Sequence, residues 1–303
     1  MFGNYRFNKN SLTKLFYGCL SAVMLLQASC APTGSSSDTV PSETAPVSEE
    51  VSATPDATLN PDATPDPEAT PVTVDLSQFP EIPLPQLEPL EKGEEIAILH
   101  TSLGLIKLRF FPEYTPNAVQ NFKTLAKSGY YDGVIFNRVL ENTIIQSGDP
   151  DGTGLGGQSI WGQPFSPETT PCLHNIRGAL SMLHGPDSNS QGSQFFIVSN
   201  KQLDEDTKTE LEALKDQQDQ VAAETADGSP IPMAQLFPLR IIDKYLEDGG
   251  IPALDFQYSV FGQVFEGLDI VDKINSAETS QEEDTMDKPL TDIIIESISF
   301  EKF

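Results

Sequence analysis

The sequence predicts a mainly β domain, an antiparallel barrel or sandwich with helices at its ends, carried behind a long polar leader. Three observations carry that expectation. Short strand-like runs recur with turn residues between them: VIFNRVL, TIIQSG, RGALSML, SQFFIVS, YSVFGQV and IIIESISF. A hairpin pattern, EEIAILHTSLGLIKLRFF over 94–111, opens the series. Two further runs place their apolar residues at helical spacing.

The chain starts with a segment that is not part of that domain. Residues 1–29 hold Arg6, Lys9 and Lys14, no acid, and the apolar run LFYGCLSAVMLL at 15–26. Twelve apolar residues are too few to span a bilayer as a helix, and the pattern reads as a secretory signal. It ends in LQASC. Small residues ahead of Cys30 resemble the lipobox of bacterial lipoproteins, which implies a lipid on Cys30 and a mature chain anchored to a membrane. Location is then extracytoplasmic, at the outer face of the cytoplasmic membrane or on its periplasmic side. Gln27 departs from the aliphatic residue usual in that motif. Ordinary cleavage after Ala31 is the alternative, disfavoured by Pro32 directly after the cut. Cys19 falls in the removed segment and Cys172 stands alone, so no intramolecular disulfide framework is expected.

Residues 31–92 contain twelve of the twenty-four prolines, twelve acids and a single base, Lys92. Few apolar side chains leave too little burial to offset ordering, so 30–92 is expected to be a disordered tether. The formal charge is −27. Such a surface repels nucleic acid and anionic headgroups, so no nucleic-acid partner is expected. A monomer is expected.

The domain is expected over 93–303. The hairpin turns at Ser102-Leu103-Gly104. In YTPNAVQNFKTLAKSG, Thr115 suits an N-cap and Pro116 the first helical position. Ala118, Val119, Phe122, Leu125 and Ala126 share a face, and Gly129 ends the run. EGLDIVDKINSA reads as a second helix. Residues 201–250 break the strand rhythm. Leu211 and Leu214 share one helical face and Ile241, Ile242, Tyr245 and Leu246 another, with twelve acids against five bases. Two helices inserted between strands are expected there, docking on their own domain or forming an arm for a partner.

Motifs for other chemistries fail on context. Gly152-x-Gly154-x-x-Gly157 resembles a dinucleotide fingerprint, but Asp149-Pro150 precedes it and GQSIWGQP follows, without a βαβ unit. His100, His174 and His184 lack i, i+3 or i+4 partners, and a lone histidine is more often structural than a ligand. No Gly-x-Ser-x-Gly elbow occurs. Neither metal nor cofactor is expected.

YYDGVIFNRVLENTIIQSGDPDGTGLGG, with its aromatic-x-Arg-Val and a Gln-x-Gly-Asp eight residues on, resembles a segment of cyclophilin-type peptidyl-prolyl isomerases. GALSML, SNSQGSQFFIVS and LDFQYSVFGQVFEGLDIVDKI are similar to three further blocks, in the same order. The resemblance implies a closed, antiparallel eight-stranded barrel capped by two helices, here with the 201–250 insertion. It also implies an isomerase that assists folding of exported proteins, with proline-containing unfolded or exported polypeptides as partners. Arg138 matches the catalytic arginine. Gln146 and Gln194 match glutamines that orient it and the substrate backbone. Phe196 matches the aromatic floor of the proline pocket, with Ile144 and Leu254 as walls.

Several positions depart from the pattern. Thr143 stands where a pocket phenylalanine is usual, and Asn137 replaces a histidine before the arginine. Leu183 and His184 replace a small residue and an asparagine that contact substrate. Tyr258 replaces a histidine at the rim, and Ala253 a tryptophan associated with cyclosporin binding, which should therefore be poor. A catalytically weak or inactive proline-binding, chaperone-like module on the same fold is the alternative.

Overall fold

The structure is a computed structural model that describes residues 6–7 and 72–303. The strands are β1 (Arg6–Phe7), β2 (Glu95–Thr101), β3 (Gly104–Phe110), β4 (Arg138–Leu140), β5 (Ile144–Ser147), β6 (Ala179–Met182), β7 (Phe195–Val198), β8 (Val221–Glu224), β9 (Pro230–Pro232), β10 (Val260–Glu266) and β11 (Ile295–Lys302). Eight of them form one sheet in the order β11-β2-β3-β10-β6-β7-β5-β4, with every pairing antiparallel.

Alternation along each strand sends side chains to two faces. Val139, Ile145, Leu180, Met182, Phe195 and Ile197 enter the main core. Ile144, Phe196, Val198 and Val260 belong to a separate cluster on the other face. The main core is closed by α1 (Pro116–Lys127), packed on β10 and β11, and by α5 (Leu268–Asn275), packed on β3, β4 and β5. Phe122 of α1 is fully buried, with its ring centroid 5.2 Å from Tyr131 and 5.3 Å from both Phe195 and Phe261.

The expected closed barrel is a half-barrel. Between the edge strands β4 and β11 the ladder shrinks to one bridge, Ile135 to Ile294, helped by Gly133 N–H to Ile295 O and Phe136 N–H to Ile293 O, both 2.8 Å. Here the chain turns at Gly133, φ +83°, and β4 is only three residues long, so regular pairing has no room to continue. The expected cap of α1 also differs. The Thr115 hydroxyl turns back to Phe111 O (3.3 Å), and Glu168 accepts from the amides of Asn117 (3.1 Å) and Ala118 (2.9 Å). A carboxylate at a helix N-terminus satisfies orphan amides and complements the dipole.

Order begins earlier than expected, inside the stretch assigned to the tether. Residues 72–92 form a strap across the domain. Gln86 is buried, donating from Nε2 to His174 O (2.8 Å) and Gln263 Oε1 (2.9 Å) and accepting at Oε1 from His174 N–H (2.7 Å). The Arg109 guanidinium donates to the Glu94 carboxylate and to the carbonyls of Pro85 and Glu88. Apolar Ile82, Leu84 and Leu87 among the prolines give this strap something to bury, and proline reduces the entropy of ordering it.

The insertion holds more than the two expected helices. Between α2 (Glu205–Lys215) and α4 (Leu239–Asp248) lie the hairpin β8–β9 and the single-turn α3 (Met233–Leu236). Residues 6–7, from the expected signal, add the backbone strand β1 beside β8. Leu211, Leu214, Ile241, Ile242 and Tyr245 are buried as their spacing requires. With Leu84 of the strap and Ile176 they form a second core. Gly249 and Gly250 close the insertion at φ +88° and +125°, where a Cβ would meet Asn200 O at 2.5 Å and Asn175 O at 2.7 Å respectively.

Candidate active site

Register lines up one row of residues across four neighbouring strands and onto a fifth. Arg138 on β4 pairs with Gln146 on β5, Gln146 with Phe196 on β7, Phe196 with Ser181 on β6, and Ser181 with Val260 on β10. Directly paired residues project to the same face. The fold therefore brings together Arg138, Gln146 and Phe196, although fifty-eight positions separate the first from the last.

Gln146 is fully buried and donates from Nε2 to Gln194 Oε1 at 2.9 Å. Gln194 in turn donates to the carbonyls of Gly154 (3.0 Å) and Gly156 (2.9 Å). The glycine run is thus a turn that props the glutamine pair. Asp149, fully buried, organises that turn: its carboxylate accepts from Asp151 N–H (3.0 Å), Thr153 N–H (2.9 Å), Thr153 Oγ1 (2.8 Å), Gly154 N–H (2.7 Å) and Gly156 N–H (3.2 Å). Burial pushes the Asp149 pKa up, but the hydrogen bonds from Thr153 and the amides outweigh it and hold the carboxyl below the usual range. Gln146 Oε1 is left without a hydrogen-bond partner among the described residues.

Arg138 is buried, and its Nε lies 3.4 Å from Asp287 Oδ2. Asp287 sits at φ +65° in the loop before β11, and its carbonyl accepts from Val139 N–H at 2.8 Å. A partner 149 positions downstream leaves no local trace in the sequence. Asp149 was visible as a motif residue, and its turn-building role appears only in three dimensions.

Phe196, Ile144 and Leu254 meet in one cluster with Leu183, Ala253 and Tyr258. Phe196 is fully covered. Tyr258 packs edge-on to it with centroids 5.3 Å apart, and the His184 ring stacks on Tyr258 at 4.4 Å and 16°. His184 has Nδ1 2.7 Å from Gly185 O and Nε2 3.2 Å from Gln257 O. The Phe196 floor is thus covered, with Tyr258 against it and His184 behind Tyr258, two of the positions that depart from the family pattern. Thr143 is half-buried, its hydroxyl donating to Glu141 O (3.1 Å) and its carbonyl accepting from Ser199 N–H (3.0 Å). Beside Gln194 a cavity of about 290 Å³ opens between the glycine turn, Leu183 and His184.

Three comparisons set this chain beside known proteins. The family model for cyclophilin type peptidyl-prolyl cis-trans isomerase/CLD matches residues 96–300. The chain belongs to the cyclophilin family. A Staphylococcus aureus relative, provisionally named a peptidyl-prolyl cis-trans isomerase, is 39% identical over 220 residues, covering 72% of this cyclophilin and 98% of the relative. One of the same name from Staphylococcus saprophyticus is 41% identical over 216 residues, 71% and 96% of the two chains. A crystal structure of a Cryptosporidium parvum cyclophilin, determined in the presence of the dipeptide Ala-Pro, matches with a TM-score of 0.48 and 28% identity, over 68% of this chain and 98% of that one. Among the described residues, no group of three or more His, Cys, Asp or Glu could hold a metal ion, and no helix is long and apolar enough to cross a membrane.

Proposed function

We propose that this cyclophilin isomerises Xaa-Pro bonds of unfolded or exported polypeptides by hydrogen bonding from Arg138 to the prolyl nitrogen. The supporting observation is the single row that sets Arg138, Gln146 and Phe196 side by side on one face. The reaction makes and breaks no covalent bond. Its barrier, about 18–20 kcal/mol, is the amide resonance lost on twisting, and uncatalysed exchange takes tens to hundreds of seconds. In the twisted amide the nitrogen becomes a hydrogen-bond acceptor. A guanidinium is charged at any working pH and donates to it without a titration.

Gln146, propped by Gln194, turns its second amide hydrogen to a substrate carbonyl, and Asp287 steadies the guanidinium at Nε. The proline ring lies against the Phe196 cluster, gripped by Leu254 and Tyr258. A charge-assisted hydrogen bond is worth about 1.5–3 kcal/mol, which is about one to two decades of rate. Positioning in a dry pocket supplies the rest. The test is NMR exchange on a proline tetrapeptide with the full chain. Arg138→Ala should lower kcat/KM by about ten- to a hundredfold, and an unchanged rate would refute the assignment.

The covered Phe196 favours a second reading, a binding module with little turnover. Peptide binding without exchange above background would select it. For residues 1–30 we propose a lipoprotein signal and a lipid on Cys30. These lie outside the described residues apart from β1, and the support is the basic, apolar and small-residue order of the segment. Mass spectrometry of the membrane fraction should find Cys30 acylated, and a free thiol or a cut elsewhere would overturn it.

A further inference from the structure

The segment Ile251–Tyr258 carries Leu254 and Tyr258 into the proline cluster, and its backbone is under strain. Phe256 has φ +62°, a region disfavoured for a bulky L residue that persists only where the surroundings enforce it. The insertion packs directly on this segment. Tyr245 of α4, fully buried, donates its hydroxyl to the Asp255 carboxylate, with Oδ1 at 2.9 Å and Oδ2 at 2.8 Å. Phe237, between α3 and α4, packs edge-on to Phe256 with centroids 5.7 Å apart.

Asp255 is itself fully buried and is held from the domain side as well. Asn175 N–H donates to Oδ1 at 2.6 Å, and His174 Nδ1 lies 2.7 Å from Oδ2. Asn175 Oδ1 accepts from Ser181 Oγ at 2.9 Å, and Ser181 is the neighbour of Phe196 in the catalytic row. The insertion therefore reaches the site through the Tyr245 hydroxyl on the Asp255 carboxylate, with Phe237 packed on Phe256 beside it.

We propose that Tyr245 is a positioning residue of the isomerase site, holding the Asp255 carboxylate so that Leu254 and Tyr258 stand against Phe196. This rests on the proposed function above, in which those side chains meet the proline ring. The insertion is then a built-in brace of the substrate wall and sets how tightly the ring is gripped. A wall that grips the proline ring in both ground and twisted states acts on binding more than on turnover, so its loosening appears in KM.

The experiment compares full-chain variants by NMR exchange at saturating and subsaturating proline tetrapeptide. Tyr245→Phe, which keeps the ring and removes one donor, should raise KM about five- to tenfold and leave kcat within about twofold. Leu211→Ala is the matched control, because it loosens the same second core without touching Asp255. It should lower the melting temperature while KM stays put. Equal KM changes in both variants, or none in Tyr245→Phe, would overturn the proposal. Should Tyr245→Phe fail to fold, Asp255→Asn decides by the same KM criterion. Arg138→Ala keeps the two claims apart: loss of turnover there with unchanged KM in Tyr245→Phe refutes only the brace, whereas full turnover there refutes the isomerase assignment itself.

Discussion

Arg138 is held by two things of different kind, a β-ladder that sets its direction and a distant carboxylate that receives its Nε. Replacing it by lysine keeps the charge and loses the planar fork, so Arg138→Lys should cost about tenfold in kcat/KM. Thr143 offers the opposite experiment. Burying a phenylalanine side chain is worth about 1.5–3 kcal/mol. If half of this is felt in the twisted state, Thr143→Phe should raise kcat/KM by about threefold to tenfold. At this scale the sequence blocks named Arg138, Gln146, Gln194 and Phe196, and the strand register sets the first, second and last of them in one row. The sequence was a poor guide to occupancy. That Tyr258 packs edge-on to Phe196 and carries the His184 ring stacked on it depends on ring packing between segments about seventy residues apart, which no local pattern encodes.

Among the elements, α1 illustrates how a right assignment can rest on a different cause. The helix and its buried face were readable from periodicity, yet its amides are capped by Glu168 from another loop. Its outer side is tied to β2 by Glu95, which receives Lys123 at 2.6 Å and Lys127 at 3.0 Å. Those two ammonium groups hold the Glu95 pKa at about 2, against its ordinary 4.5. A depressed carboxyl pKa stabilises the fold above the unfolded value, and the contribution is lost as pH falls through the folded one. The melting temperature of the parent chain should therefore exceed that of Glu95→Gln at pH 6, with the gap closing between pH 4.5 and about 2. The gap should be small, because the pair is partly exposed to solvent. The β8–β9 hairpin was missed for a simple reason. Its Asp227-Gly228 turn, with Gly228 at φ +82°, is flanked by strands too short for alternation to register.

For the whole molecule, the new feature is a second core shared by strap and insertion, parts of the chain more than a hundred residues apart. Each looked peripheral in the sequence, one too proline-rich and the other too acidic, because composition reports the average and burial depends on a few apolar residues. Ile242→Ala, at a fully buried position, should cost about 2–5 kcal/mol in chemical denaturation. Leu84→Ala should destabilise the chain too, which a free tether would not. A loss under about 0.5 kcal/mol at Leu84 would mean that the strap is not part of the folded unit.

The paired glycines at the exit of the insertion have a practical corollary for engineers of this chain. Since a methyl at Gly249 or Gly250 would strike main-chain carbonyls, that junction works as a weld and gives no pivot for swinging. Residues 201–250 are then no interchangeable cassette. Excising them, or transplanting them to another cyclophilin, would tear the seam that trues the neighbouring wall.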